Sequence, residues 1–284
     1  MPGPLPRLLL LLVLLPAAGC GAEPPAAANT APPAAIATAF DPGKCGRLAG
    51  RVTWNRPLPE APTFIFGMPK KDGSFDVRLM PNPNRPQIDP DSRAVANAVV
   101  YLRKIDTAAA KPWTHGDVRV ELTDRQIVVR QGDDPPRRVG FVRRGKPVDL
   151  VATDPFFHAL RGRGAAFFTF PFPDSVKERT RAFDTVGRVE LSSAAGFYWA
   201  SADLFVDDHP YYTLTNREGR FVLDDVPAGS PELVVWLPGW GVTKQERDPE
   251  SGLVTRQLYD PPTEVRTRVA VAPGQTEHVA VTLP

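Results

Sequence analysis

The chain has few residues of the types that build metal, disulfide or nucleophile sites. It contains two cysteines and three methionines among 284 residues, and no methionine follows Met80. Its four histidines, His115, His158, His209 and His278, are far apart in the sequence. No H-x-H, H-x-x-E-H, C-x-x-C or G-x-S-x-G motif is present. These absences exclude the common zinc motifs and the serine nucleophile elbow, and they predict a protein that is not an enzyme.

An excess of either charge is also lacking, since 34 basic residues face 32 acidic ones and the net charge is +2. No basic cluster is interleaved with aromatic residues, which argues against a nucleic-acid partner. Long uninterrupted segments are rare, because 33 prolines and 22 glycines divide the chain. Short alternating apolar runs between such breakers are typical of an all-β fold.

Residues 1–19 have the form of a secretory signal peptide, with Arg7, an apolar run at 8–15 and then small residues. That run is shorter than the ~20 apolar residues that span a bilayer. The sequence AAGC that ends at Cys20 resembles a bacterial lipobox. This resemblance implies that Cys20 is the lipid attachment site, whereas ordinary signal cleavage would leave its thiol unmodified.

Residues 20–42 are rich in alanine and proline and contain almost no charged or large apolar residues. Such a segment cannot bury enough surface to offset its loss of entropy on ordering, so we expect a flexible tether. With Cys20 lipidated, Cys45 is the one remaining thiol and no internal disulfide can form. The expected location is the bacterial cell envelope, where the protein is secreted across the inner membrane and held by its lipid on the periplasmic or surface face.

Two segments near the ends of the chain share a family pattern. Residues 46–54 contain G-x-V-x-W, and residues 213–223 predict a hairpin around a turn from Asn216 to Gly219, followed by V-P-A-G at 226–229. These motifs resemble carboxypeptidase regulatory-like (transthyretin-like) β-domains, which show T-D-x-x-G-x-F and then V-P-x-G. The resemblance implies an immunoglobulin-like sandwich and brings no catalytic residues with it.

The middle of the chain resembles a cupredoxin, the blue-copper domain. Asp154 and His158 match the D-x-x-x-H that carries the first copper ligand of the family, and alignment places the later ligands near Ser193, Gly196 and Trp199. The family uses a cysteine thiolate, a second histidine and usually a methionine at those places. The sequence therefore predicts a degenerate domain with no cofactor.

A copper centre made from another set of residues is the alternative. It would pair His158 with His209 and would make the protein a periplasmic copper-binding or electron-transfer protein. His209 follows two aspartates, Asp207 and Asp208, so the three residues could also bind a divalent ion or tune a proton. The competing interpretation is that they satisfy polar groups at a domain junction.

These patterns together predict two β-sandwiches. Residues 43–110 and 207–284 would form the regulatory-like sandwich, into which a cupredoxin-like sandwich of residues 115–206 is inserted; a single extended sandwich is the rival arrangement. Chain ends of compact domains often lie close together, so such insertions are tolerated. Residues 57–91 are expected to form a long, proline-rich loop.

Residues 162–184 are predicted to form a second loop, with an aromatic group of Phe167, Phe168, Phe170 and Phe172. This group would pack over the end of a sandwich or, alternatively, form an interaction surface. The favoured function is a non-enzymatic, membrane-anchored envelope lipoprotein whose β-domains bind an unknown envelope protein or glycan. The copper protein is the competing hypothesis.

Overall fold

A computed structural model describes residues 39–69, 72–173, 176–250, 252 and 254–284. The signal peptide, Cys20 and most of the tether lie outside the described residues. A 3-10 turn at Pro42–Lys44 precedes the first strand. Within the described ranges, no helix is long and apolar enough to cross a membrane.

The described chain forms 22 strands. In chain order they are β1 (Cys45–Trp54), β2 (Phe64–Pro69), β3 (Phe75–Met80), β4 (Gln87–Ile88), β5 (Val95–Ala96), β6 (Val99–Arg103), β7 (Val118–Thr123), β8 (Gln126–Gln131), β9 (Val139–Arg143), β10 (Pro147–Ala152), β11 (His158–Gly164), β12 (Phe168–Phe172), β13 (Glu178–Ala182), β14 (Gly187–Ser193), β15 (Ser201–Asp207), β16 (Tyr212–Leu214), β17 (Arg220–Pro227), β18 (Glu232–Leu237), β19 (Val242–Arg247), β20 (Val254–Tyr259), β21 (Thr263–Arg268) and β22 (Thr276–Leu283).

The terminal sandwich consists of strands from both ends of the chain. One sheet has the order β17-β1-β22 and the other β16-β6-β18-β21. β1 pairs antiparallel with β17 and parallel with β22. Alternate residues of these strands, such as Leu48, Val100 and Val235, are fully buried in one shared core, as expected for strands with one face covered.

The central sandwich consists of strands β7 to β15, which follow one another between β6 and β16. Its sheets have the orders β13-β10-β7-β8 and β12-β11-β14-β15-β9. Val120, Leu150 and Leu204 lie in the core between them. The prediction of an all-β protein with two sandwiches is therefore confirmed.

A small aromatic cluster joins the two sandwiches. Phe141 and Phe205 of the central sandwich pack with Val99, Tyr212 and Trp236 of the terminal sandwich. The segments that enter and leave the central sandwich also touch, because a ring nitrogen of His115 lies 2.8 Å from the carbonyl oxygen of Pro210.

The turn at residues 216–219 forms as predicted, but its two flanking strands do not pair with each other. β16 pairs with β6, whereas β17 pairs with β1, so the segment connects the two sheets and is not a hairpin. The Asn216 side chain accepts hydrogen bonds from the backbone N–H groups of Glu218 and Arg220. Gly219 has a φ of +73°, and a Cβ there would lie 2.4 Å from the carbonyl oxygen of Val52. This position requires glycine.

Two other expectations about loops were wrong. Residues 57–91 contain the hairpin β2–β3, and residues 162–184 contain β12 and β13. A further hairpin, β19–β20, was not predicted. The prolines that flank these segments indicated loops, but they lie at strand ends or on an edge strand, where a missing N–H is tolerated.

Candidate functional site

The end of the central sandwich brings together His158 and the residues aligned with the later copper ligands. His158 begins β11, and Leu160 of this strand pairs with Ser193 of β14. The His158 ring lies 5.3 Å from the ring of Phe197, which belongs to the loop after β14. The alignment with cupredoxins grouped His158 with Ser193 and its neighbours, and the β11–β14 register places them at one end of the same sheet.

Asp154 holds the His158 ring. Nε2 of His158 and Oδ2 of Asp154 are 2.8 Å apart, and the same carboxylate accepts the backbone N–H groups of Asp124 and Arg125 at 2.9 and 3.1 Å. Burial lowers the pKa of His158 below its ordinary value, against the opposing effect of Asp154. Burial acts to raise the pKa of Asp154, but the backbone donors of Arg125 and Asp124 and the His158 ring outweigh it, so this pKa is lowered.

The other aligned positions have structural roles. Ser193 is buried, and its hydroxyl oxygen accepts the backbone N–H of Ala195 at 3.1 Å. Gly196 has a φ of +86° in the loop. Trp199 is fully buried and donates its indole N–H to the carbonyl oxygen of Arg125. Among the described residues, no group of three or more His, Cys, Asp or Glu side chains could hold a metal ion.

His209 lies far from this end of the sheet. β14 pairs antiparallel with β15, so Ser193 marks one end of the pair, whereas His209 follows β15 beyond the opposite end. One ion cannot contact both His158 and His209. The alternative prediction of a copper site formed by these two residues is therefore wrong. His209 is buried, and its Nδ1 accepts the N–H of Tyr211 at 3.4 Å.

The two aspartates before His209 already have partners. The carboxylate of Asp207 accepts the hydroxyl of Tyr212 at 2.6 Å and the backbone N–H of Asp208 at 2.7 Å. Asp208 pairs with Arg144 at 2.8 Å. Burial lowers the pKa of His209, with Asp207 and Asp208 acting in the opposite direction. These contacts agree with the interpretation that Asp207, Asp208 and His209 satisfy polar atoms where the central sandwich leads into the terminal one.

The predicted aromatic surface is mostly core. Phe168, Phe170 and Phe172 alternate along β12, and Phe168 and Phe172 are buried in the central sandwich. Only Phe167 points outward, with 80% of its surface exposed. Arg181 lies over the Phe168 ring at 4.6 Å. The four residues therefore do not form a common interaction surface, because the strand period places three of them on the inward face.

A buried charge cluster lies near the meeting of the two sandwiches. Nη1 of Arg188 lies 3.2 Å from a carboxylate oxygen of Asp203, and burial raises the pKa of Asp203 to about 6. Burial lowers the pKa of the nearby Arg138 to about 10. Arg138 donates to the carbonyl oxygens of Ser201 and Pro83 and, at 2.6 Å, to the Ser201 hydroxyl. Its guanidinium has protein acceptors and connects the start of β15 to the loop after β3.

A large opening, which we name the hairpin groove, was not predicted from the sequence. It has a volume of about 750 Å³ and lies above the loop of residues 195–198, between the hairpins β2–β3 and β19–β20. Residues 63–67 form one wall, and Gln245, Arg247, Val254 and Thr255 contribute to the other. The uncharged run at residues 64–68 could have indicated the strand on this wall, but the surrounding prolines led to the prediction of a loop.

Aromatic rings make the floor of the hairpin groove. Phe197 and Tyr198 line it and are partly exposed, and Phe66 packs 4.5 Å from Trp199 beneath. The Tyr198 hydroxyl donates to the carbonyl oxygen of Ile65 at 3.0 Å. On the rim, Arg247 donates to the carbonyl oxygen of Gly252 at 2.9 Å, so the tip of the second hairpin is tied to its own turn.

Comparison with known proteins gives only distant structural similarity. No protein-family model and no curated protein matches the chain. Oxidised plastocyanin from Dryopteris crassirhizoma is 12% identical, with 31% of this chain and 99% of that chain covered and a TM-score of 0.25. A purple cupredoxin from Nitrosopumilus maritimus is 13% identical, with 32% and 100% covered and a TM-score of 0.25.

A methionine-to-alanine mutant of amicyanin in the Cu(I) state gives a similar result. It is 10% identical, with 38% of this chain and 98% of that chain covered and a TM-score of 0.25. Matches at this TM-score establish no function, so the residues of this chain itself must indicate one.

Proposed function

We propose that the protein is a non-enzymatic binding protein, held in the bacterial cell envelope by a lipid on Cys20, and that the hairpin groove takes its partner, a protein or a glycan. The observation that carries this proposal is the groove itself. It combines an aromatic floor with polar side chains on its rim, the usual composition of a binding site. Of the described residues that line it, none is a histidine or a cysteine.

The sequence supports the anchor. The composition of residues 20–42 predicts a flexible tether, and a flexible chain of this length has a root-mean-square reach of about 25 Å. That reach is enough to hold a folded body close to a bilayer without fixing its orientation. A tethered body meets partners in the envelope at a raised effective concentration, so an open groove can function with modest affinity.

Metabolic labelling with palmitate in a bacterial host that has the lipoprotein pathway tests the anchor. We expect the wild-type chain to be labelled and to partition into detergent, and Cys20→Ala to lose both properties. Cys45→Ala serves as the control, because it removes the other thiol and should remain labelled. Persistent labelling of Cys20→Ala would show that the anchor is elsewhere.

Site-specific photo-crosslinking in intact cells tests the groove. A photoreactive residue at Thr255, on the groove wall, should give a defined adduct with protein or glycan. The same residue at Thr169, on the outward face of β12, should give none. Equal adducts at both positions, or none at Thr255, would contradict a binding role for the groove.

A further inference from the structure

We propose that the partner is a polypeptide, and that an extended segment of it adds as a strand to the free edge of β2. This inference rests on the proposed binding function and specifies the class of partner. The groove runs along the edge of β2, since five consecutive residues, 63–67, line it and no residue of β3 does. A wall formed by a sheet face would instead show alternate residues of both strands.

The backbone of Ile65 faces the groove. Its carbonyl oxygen accepts the hydroxyl of Tyr198, which belongs to the groove floor. The N–H and C=O of one strand residue point to the same side, so the Ile65 N–H faces the groove as well. Ile65 pairs directly with Leu79 on β3, whose N–H and C=O therefore face away on the opposite edge of the hairpin.

The edge of β2 lacks the features that usually protect a strand edge. β2 pairs only with β3 among the described strands, its residues 64–68 include no charged side chain, and its one proline, Pro69, is the last residue of the strand. In contrast, the edge strands β13 and β21 carry charged residues at alternate positions, and the edge strand β12 carries Pro171. An uncharged edge favours pairing with another strand. The Ile65 carbonyl oxygen accepts one hydrogen bond from Tyr198 and has a second lone pair for a donor of the partner.

The size of the groove fits a short strand. Residues 63–67 line the groove, and five residues of a strand extend over roughly 17 Å at a rise of about 3.4 Å per residue. An added strand of four to five residues would therefore cover this edge. Because the rings of Phe197 and Tyr198 form the floor, the segment should carry apolar side chains at alternate positions and no charge in between.

A phage-displayed library of random dodecapeptides, selected on the full-length protein in detergent micelles, tests the proposal. We expect enriched peptides with alternating apolar residues. Their affinity should fall at least tenfold for Ile65→Pro, which removes the N–H that faces the groove. Leu79→Pro is the matched control, since it makes the same change in the same cross-strand pair but on the outer edge, and it should bind normally.

The chemistry of the peptide gives a second test. Methylation of alternate backbone nitrogens in a selected peptide should abolish binding in one register and leave it intact in the other. Recognition through side chains alone would tolerate both registers. Equal affinity for Ile65→Pro and wild type, or tolerance of both methylated peptides, would overturn strand addition.

Loss of folding by Ile65→Pro would be detected by circular dichroism. In that case Thr255→Trp, which fills the groove from the opposite wall, decides the question and should also reduce peptide binding at least tenfold. Failure to select any peptide, together with binding to a glycan array, would overturn this inference and keep the binding function. A change from dimer to monomer in Ile65→Pro would show that a second copy occupies the edge and would also overturn it.

Discussion

The carboxylate of Asp154 accepts a hydrogen bond from the ring of His158 at 2.8 Å and also accepts the N–H groups of the turn between β7 and β8. One carboxylate thus fixes β11 of the five-stranded sheet to the facing four-stranded sheet. The His158 ring fills the space beside Phe156 and Phe197. His158 therefore has the environment of a residue that stabilises the sandwich.

His158→Ala should lower the free energy of unfolding by about 2–4 kcal/mol, because it removes a buried ring and one hydrogen bond. Chemical denaturation at pH 7.5 measures the change. His278→Ala is the control, since His278 is exposed on β22 and its loss should be nearly neutral. An unchanged stability for His158→Ala would contradict the structural role.

The buried histidines should make the protein less stable in mild acid. Burial lowers the pKa of His115, His158 and His209 in the folded protein, below the ordinary value of 6.5. The unfolded chain therefore takes up protons first as the pH falls, so the stabilisation is complete above about pH 6.5 and is lost as the pH falls through the folded pKa values. Asp203, with its pKa raised to about 6, acts in the opposite direction and only partly offsets this loss.

Urea denaturation between pH 8 and pH 5 measures this dependence. His158→Gln should make the slope of unfolding free energy against pH smaller than in the wild type. A stability that rises steadily from pH 8 to pH 5 would show that the histidines are not buried as described.

Gly219→Ala should destabilise the terminal sandwich by more than about 2 kcal/mol, because alanine both disfavours a positive φ and would clash with the carbonyl oxygen of Val52. Gly274→Ala is the matched control. Gly274 has a φ of +66° with no atom within 4 Å of a Cβ, so only the conformational cost of about 1 kcal/mol applies. Equal effects in thermal unfolding would contradict the close approach at Gly219.

Arg138→Met should cost about 3–5 kcal/mol, because it removes the donor to the half-buried carbonyl oxygens of Ser201 and Pro83 and leaves the buried Asp203 with one cation fewer. Arg143→Met, at the end of β9, is the control, since Arg143 is exposed and its loss should stay within about 0.5 kcal/mol. Differential scanning calorimetry of both variants measures the contrast. A stability of Arg138→Met close to wild type would show that the cluster is dispensable.

The division into two domains stays a prediction. Replacement of residues 115–206 by a short Gly/Ser linker should leave a folded β-protein, because residues 115 and 210 already lie in contact. The product should be less stable than the full chain, since Val99, Tyr212 and Trp236 lose the packing of Phe141 and Phe205. Far-UV circular dichroism and sedimentation measure the outcome, and aggregation with every linker length would show that the terminal sandwich does not fold without the central one.

Local patterns predicted the strands well where apolar residues alternate without interruption. In β7, for example, Val118, Val120 and Leu122 alternate with polar residues, and all three are buried. The segment at 213–223 was assigned to a hairpin because the turn residues Asn216 and Gly219 serve equally in a hairpin and in a connection between sheets. Only the distant partners, β6 and β1, distinguish the two.

For the candidate sites too, local patterns could not show which distant segments of the chain lie together. The resemblance to cupredoxins aligned His158 and Ser193 with ligands of one site, and the register of β11 and β14 places them near the same end of one sheet. The hairpin groove could not be predicted, because its walls come from residues 63–67 and from β19–β20, which are remote in sequence. Phe168, Phe170 and Phe172 were assigned to a loop because Pro171 and Pro173 obscured their alternation.

The parallel pairing of β1 with β22 has a consequence for the order of folding. Thr53 and Thr282 are partners although 229 residues separate them. β1 lies between β17 and β22, so its pairing cannot be complete until nearly the whole described chain has been synthesised. The central sandwich needs only neighbouring segments and bears a smaller loop-closure cost. During synthesis or export the central sandwich should therefore form first. Until β22 is available, β1 has an unpaired edge that can aggregate or bind a chaperone.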